Sequence, residues 1–345
     1  MAELFVTNYN PNFTGVSATA ANVIRQQVSR YDLALVGQPL PGCPAPMSKA
    51  QAHQASRHAA PEGRPFAIWH VRRNPEMRSA LWLRDVRRAP VKIVFTSAAQ
   101  RLHSAYPRWL ISKMDAVIAT TDEAAGYVPH VRAVVPHGVD TDLFCPAPDR
   151  AAAWAALGHG GARGIATIGR VRPEKGTDVF VDAMLRLLPQ VRDVVALVVG
   201  RSGGKHQAFE DGLKAKVAAA GLADRLLFVG EMPADQLPAL MRALSLVVQL
   251  PRYEGYGMVP LEGLASGVPF VGSRTGYFEA FSAQGTVGRV VALEDAAGAA
   301  EAALGLLDQT DAIAPKAREG ALAHFSAARE ADGIDAVYQA LWDAP

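Results

Sequence analysis

Cysteine is nearly absent from this chain. Cys43 and Cys145 are the only two in 345 residues, too far apart and in too Pro-rich a context for a disulfide framework, and no CxxC or Cys/His spacing suited to zinc occurs. Both are expected as reduced thiols. No segment reaches about 18 uninterrupted apolar residues, and the start MAELFVTNYNPNF lacks a basic stretch followed by a long apolar one. A cytoplasmic protein that can touch a membrane without spanning it is expected. Aromatics are few, at 7%, yet 50% of residues are hydrophobic and 20% charged, which excludes a disordered or fibrous chain.

A strong net charge is also lacking, at +2, but the balance is uneven. From Arg72 to Lys113 the many Lys and Arg residues, Arg72, Arg73 and Arg78 first among them, face only Glu76 and Asp85. Such a run reads either as a solvated face or as an attraction for an anionic partner. The length exceeds what one hydrophobic core usually serves, so two domains are expected.

Short apolar runs alternate with amphipathic stretches throughout. ELFVTNY, DLALVG, FAIWHV, VKIVFTS, AVIAT and AVVPHG in the first half read as buried parallel strands separated by helices. GIATIGRV, VVALVVG, LLFVGEM, LSLVVQL and VPFVGS repeat the pattern in the second. Between the series, CPAPDRAAAWAALGHGGARG lapses into Pro, Ala and Gly and reads as an interdomain linker, with a hinge near residues 146–164. The fold class is therefore α/β: residues 1–150 as one doubly wound Rossmann-like domain, 151–325 as a second, and 326–345 as a terminal helix that is a candidate to pack back on the first.

Two stretches carry chemistry. In TIGRVRPEKGTDVFVDAML a strand ends at Gly169, Arg170 and Lys175 follow in a short loop, and Gly176 and Thr177 open a helix. Amides at a helix start favour an anion, and phosphate is the natural guest; the alternative is two ordinary surface cations. In LPRYEGYGMVPLEGLASGVPF, Glu254 follows a strand, Gly255 and Gly257 let a ligand approach the backbone, and Pro260 suits a first helical turn. Glu262 falls within the first two turns of that helix, on its open side if Leu261, Leu264 and Ala265 are buried. Ionised carboxylates accept from hydroxyls, so the expected guest carries hydroxyls as well as phosphate.

In that order and spacing, GRVRPEKG, FVGEM, the E-x7-E pair of EGYGMVPLEGLASGVPFVGS, and VVPHGVDTDLFCP resemble the retaining GT-B glycosyltransferases of family 4. Finer likeness, in NPNFTGVSATAANVI and FTSAAQRLHSAYPRWLISKMDAVIAT, is to bacterial lipopolysaccharide core mannosyltransferases. The resemblance implies a nucleotide-sugar donor, GDP-mannose, bound in the second domain without a cofactor or divalent metal, and an anionic inner-core glycolipid acceptor bound in the first, with peripheral association at the inner membrane. Arg170 and Lys175 would hold the diphosphate and stabilise its departure, Glu254 the transferred hexose, Glu262 the ribose, and the amides of Gly255, Tyr256, Gly257 and Met258 the sugar or phosphate oxygens. Gly15 and Ser17 would lie near the donor phosphate, and Arg72, Arg73 and Arg78 would meet the acceptor. Many family members have a His after the strand corresponding to VKIVFTS; here Thr96, Ser97 and Ala98 stand there, and His70 or His103 is the candidate replacement.

Some motifs mislead. Asp140 to Asp142 imitates a metal-binding DxD but suits a turn; GRSGGK has the wrong spacing for a P-loop; GHGGARG precedes a strand. A UDP-sugar enzyme with another acceptor, an epimerase or phosphorylase, and a non-catalytic anion-binding or nucleic-acid-binding protein are the rival readings. The arginines come without a nucleic-acid motif, so no nucleic acid is expected as partner.

Overall fold

The computed structural model describes residues 2–57 and 63–344. The chain divides into two compact units, one of Met1–Gly138 with Phe325–Pro345, the other of Val139–His324.

In the first unit the apolar runs form β1 (Leu4–Asn8), β2 (Leu33–Gly37), β3 (Ala67–Val71), β4 (Val91–Ser97), β5 (Ala116–Ala119) and β6 (Val131–Val134). They make one parallel sheet in the order β2-β1-β3-β4-β5-β6, with Val6 opposite His70 and Val71 opposite Phe95. Successive side chains point to opposite faces, and both faces are covered. Phe5, Trp69, Val71 and Phe95 belong to one core and Leu4, Val6, Ile68 and Ile118 to the other. The second core is closed by helix Gly15–Gln27, whose buried Ser17, Ala20 and Ala21 permit close approach, and by the terminal helix Ala327–Trp342, which packs against it through Ile334, Tyr338 and Trp342. The run AVVPHG, expected as a strand, supplies only the end of one: β6 takes in Ala133 and Val134 and stops there, two residues ahead of Pro136, which has no N–H to offer a ladder.

In the second unit β7 (Arg163–Ile168), β8 (Val194–Val199), β9 (Leu226–Gly230), β10 (Leu246–Gln249), β11 (Phe270–Ser273) and β12 (Gly288–Val291) form another parallel sheet, in the order β12-β11-β10-β7-β8-β9. From β7 the chain winds one way through β8 and β9, then returns to β10 and winds the other way. The neighbours β7 and β10 therefore flank the switch point, where ligands of such sheets collect at the carboxyl ends of the strands.

The expected linker is instead part of the second unit. Asp149 caps a helix, Arg150–Leu157, by accepting the N–H of Ala152 at 2.9 Å, and Gly158 ends it at φ 72°. Trp154 in its middle is 1% exposed, and the Arg150 guanidinium donates to the carbonyls of Leu244 at 2.6 Å and Gly267 at 2.9 Å. Alanine-rich composition was read as loose chain, whereas alanine is the strongest helix former. The boundary expected at residue 150 likewise lies at Gly138/Val139, because the following segment is tied into the second unit: Arg242 donates to Leu143 O at 3.1 Å and Arg318 to Phe144 O at 2.8 Å.

Candidate active site

At the switch point of the second sheet, the loop after β7 runs from Gly169 to Gly176 and the loop after β10 from Leu250 to Gly257. Each ends in a glycine that begins a helix. Gly176, at φ 64°, opens helix Thr177–Leu187, and a Cβ there would lie 1.7 Å from Leu250 O. Gly257, at φ 96°, opens helix Met258–Ala265, and a Cβ there would lie 2.0 Å from the Phe278 ring. Any other residue at either place would force the loops apart or push the ring aside. Neither helix start receives a side-chain cap, so the first amides of both retain their capacity for an anion.

Arg252 fastens the two loops together. Its N–H donates to Glu174 O at 3.1 Å, and its guanidinium forks onto Asp178, with Nη1 and Nη2 each 2.8 Å from a carboxylate oxygen, while Nη2 also reaches Glu294 at 2.8 Å. Hydrogen bonds to Asp178 and then Glu294 raise the guanidinium pKa. Sequence reasoning missed this residue. The signal available to it was an Arg directly before the Tyr253–Glu254 motif and an Asp in the first turn of the other helix.

Lys175 Nζ lies 2.6 Å from Glu254 Oε2, and the other oxygen of Glu254 accepts the N–H of Gly255 at 2.8 Å. The Glu254 N–H donates to Thr275 Oγ1 at 3.2 Å. Arg170 is exposed. Leu261, Leu264 and Ala265 are buried as their helix pattern requires, which leaves Glu262 partly exposed on the open side. No described residue hydrogen-bonds or pairs with the Glu262 carboxylate, and burial pushes it up to about 7. Tyr256 contributes only its backbone: its ring is 4% exposed and stacks on Tyr277 at 5.3 Å between centroids. The second unit thus brings Arg170, Lys175, Glu254, the Gly255–Met258 amides and Glu262 to one edge of one sheet.

The expected residues of the first unit are not brought together as one surface. Gly15 is exposed at the start of its helix, but Ser17 is fully buried, its Oγ within 3.3 Å of Asn8 Oδ1 and 3.1 Å of Arg73 Nη2. Arg73 is an internal strut that also donates to Asn8, Thr14 and Glu76 at 3.1–3.2 Å. His70 is fully buried, with Nε2 2.7 Å from Thr96 Oγ1 and Nδ1 bonded to the Tyr338 hydroxyl, so its ring has no open side for an acceptor. Arg72 is 8% exposed. Arg72 and Arg73 therefore do not form an exposed basic face: the first is buried and the second is held by Asn8, Thr14, Ser17 and Glu76. Arg78 alone of the three is exposed, and it lines a groove of about 520 Å³ with Trp82, Tyr106 and Trp109.

Asp140 Oδ1 accepts the N–H groups of Asp142 and Leu143 at 3.2 and 3.1 Å, closing a turn. No group of three or more His, Cys, Asp or Glu residues able to hold a metal occurs among the described residues, and no helix among them is long and apolar enough to cross a membrane.

A family model for glycosyl transferases group 1 matches residues 155–319. The chain is 40% identical over 347 residues to the lipopolysaccharide core biosynthesis mannosyltransferase LpsB of Rhizobium meliloti, covering 98% of this chain and 97% of that one. It is 40% identical to the mannosyltransferase LpcC of Rhizobium leguminosarum bv. viciae, with 98% and 96% covered. Among solved structures, Anabaena Alr3699/HepE in complex with UDP and glucose superposes with a TM-score of 0.79 at 16% identity, covering 98% of this chain and all of that one.

Proposed function

The chain belongs to the group 1 glycosyltransferases and has the GT-B fold, and from that premise we propose that it moves mannose from GDP-mannose to an anionic glycolipid of the lipopolysaccharide core. Full-length likeness to two mannosyltransferases of core biosynthesis supports the donor and acceptor classes. The observation that carries the site is the Lys175–Glu254 pair, set between two uncapped helix starts at the switch point of the second sheet.

In this reading the diphosphate lies on the amides that follow Gly176 and Gly257, and Arg170 and Lys175 meet its oxygens. Glu254, turned by the Gly255 N–H, accepts from hexose hydroxyls, and Glu262 accepts from the ribose. As the bond from the anomeric carbon to the phosphate oxygen breaks, negative charge grows on the leaving group. Fixed donors aimed there stabilise the transition state more than the ground state, by on the order of 3 kcal/mol for one well-placed donor. The acceptor oxygen attacks from the same face, a new bond to the anomeric carbon forms, and the acceptor's hydroxyl proton passes to the departing phosphate oxygen, with retention. These roles ask for no divalent ion. Exposed Trp82, Tyr106 and Trp109 beside Arg78 suit the lipid end of the acceptor at an anionic membrane face.

The test is a thermal-shift panel of GDP, UDP and ADP sugars, followed by transfer assays with lipid-linked and lipid-free acceptors in EDTA. GDP-mannose is expected to give the largest shift, and the product to retain the anomeric configuration. Lys175→Ala is expected to lose about a hundredfold in turnover, and Trp109→Ser to raise KM for the lipid-linked acceptor alone. Loss of activity on chelation, an inverted product or preference for another nucleotide would each reject the corresponding part.

A further inference from the structure

One buried cation in the first unit, Arg72, has the acids Glu330 and Glu76 near it in charge but no ion pair with either. Arg72 follows β3 by one residue and lies two beyond His70, on the same face of the sheet. Its Nε and Nη1 are shielded from water and have no hydrogen-bond partner. A guanidinium is not deprotonated in proteins, and burial, which lowers its pKa, does not change that.

The acids and hydroxyls nearest in charge are already engaged. Glu76 gives one oxygen to the Tyr9 N–H at 3.0 Å and to Arg73, and the other to the Arg72 N–H itself at 2.8 Å. Glu330 gives one oxygen to His137 Nδ1 and the other to the Gly138 N–H, both at 2.7 Å. The Tyr338 hydroxyl is taken by His70. An unsatisfied charged fork at the carboxyl edge of a parallel sheet marks a place for an anion rather than a packing motif, since natural interiors rarely leave such donors unpaired.

We propose that Arg72 seats an anionic group of the acceptor, a carboxylate or a phosphate carried on its glycan. The fork matches two oxygens of either group, as a lysine would not. This rests on the reading of the first unit as the acceptor side. It also separates the cations of the basic run: Arg73 braces the loop, Arg78 faces solvent, and Arg72 selects substrate.

The experiment compares the full chain with Arg72→Met and Arg72→Lys. Replacing an unpaired buried cation by an apolar side chain of similar length is expected to leave the melting temperature equal or higher. The same variant is expected to lose about a hundredfold in kcat/KM for the anionic acceptor, through the acceptor's KM and not the donor's. Arg72→Lys is expected to fall between. Acceptors with the carboxyl reduced or the phosphate removed distinguish the two sources: the modification that makes parent and Arg72→Met equal names the group. In parallel, inorganic phosphate or acetate is expected to raise the melting temperature of the parent more than that of Arg72→Met, the second unit being common to both. A lower melting temperature for Arg72→Met, or unchanged transfer to the intact acceptor, overturns the inference. If the parent neither hydrolyses nor transfers GDP-mannose, the functional reading fails instead, and the phosphate and acetate arms still decide the role of Arg72.

Discussion

Glu262 sits in a protein environment with no cation beside it, and that fixes how it responds to pH. Burial raises its carboxyl from 4.5 to about 7, so near neutrality it is divided between a neutral and an ionised form. In the proposed reading two ribose hydroxyls need acceptors, and the ionised form is the better one. Nucleotide binding therefore favours loss of the proton, and affinity for GDP is expected to rise between pH 6 and 8. Glu262→Gln is expected to bind about tenfold more weakly at pH 8 and to lose the part of the slope that does not come from the phosphate itself. Calorimetric titration at three pH values checks this, and parallel slopes for parent and variant would refute it. The places of Glu254, Glu262, Arg170 and Lys175 in the fold were legible in the sequence because each stands close to a glycine that begins a helix. Arg252 was harder to see, since its place before Tyr253 and Glu254 is a weak mark and its partners Asp178 and Glu294 lie 74 and 42 residues away. Arg72 and Arg73 read as surface because a run of cations carries no sign of which face of β3 each one leaves.

At the scale of elements, the strands were readable from apolar runs, because a parallel sheet covered on both faces needs them almost continuous. What composition concealed was the helix Arg150–Leu157. Its largest apolar residue, Trp154, packs so tightly that a Cβ on Gly164 would lie 2.1 Å from the indole, and the indole N–H donates to Gly160 O at 2.9 Å. A helix of mostly alanines buries little other apolar surface, so beside the Arg150 hydrogen bonds its packing leans on that ring. Trp154→Ala is expected to destabilise the second unit by about 3–5 kcal/mol, read from the denaturant midpoint at constant m-value. A loss below about 1 kcal/mol would return the segment to the linker role that its Pro, Ala and Gly suggest.

At the scale of the whole molecule, the chain leaves the first unit at Gly138 and returns at Phe325, so each unit has a core of its own and a buried titratable group of its own, and the two respond oppositely to acid. In the first unit, burial and then the nearby charge of Arg72 hold His70 well below 6.5. Its imidazole stays neutral in the fold but takes a proton in the unfolded chain below about 6.5, so the unfolded state binds more protons and stability falls as pH drops through that value. In the second unit Glu262 does the reverse. Between 4.5 and about 7 the folded state binds the extra proton, so stability rises as pH falls through that window. Acidification from pH 7.5 to 5 is thus expected to lower the unfolding transition of the first unit relative to that of the second. Scanning calorimetry at both values, with His70→Gln and Glu262→Gln, separates the terms: each substitution is expected to flatten the pH response of its own unit only. Saturating GDP should raise the second transition alone and so identify it. Transitions that move together at both pH values, in parent and variants alike, would mean that the units unfold as one and that neither group sets the acid response.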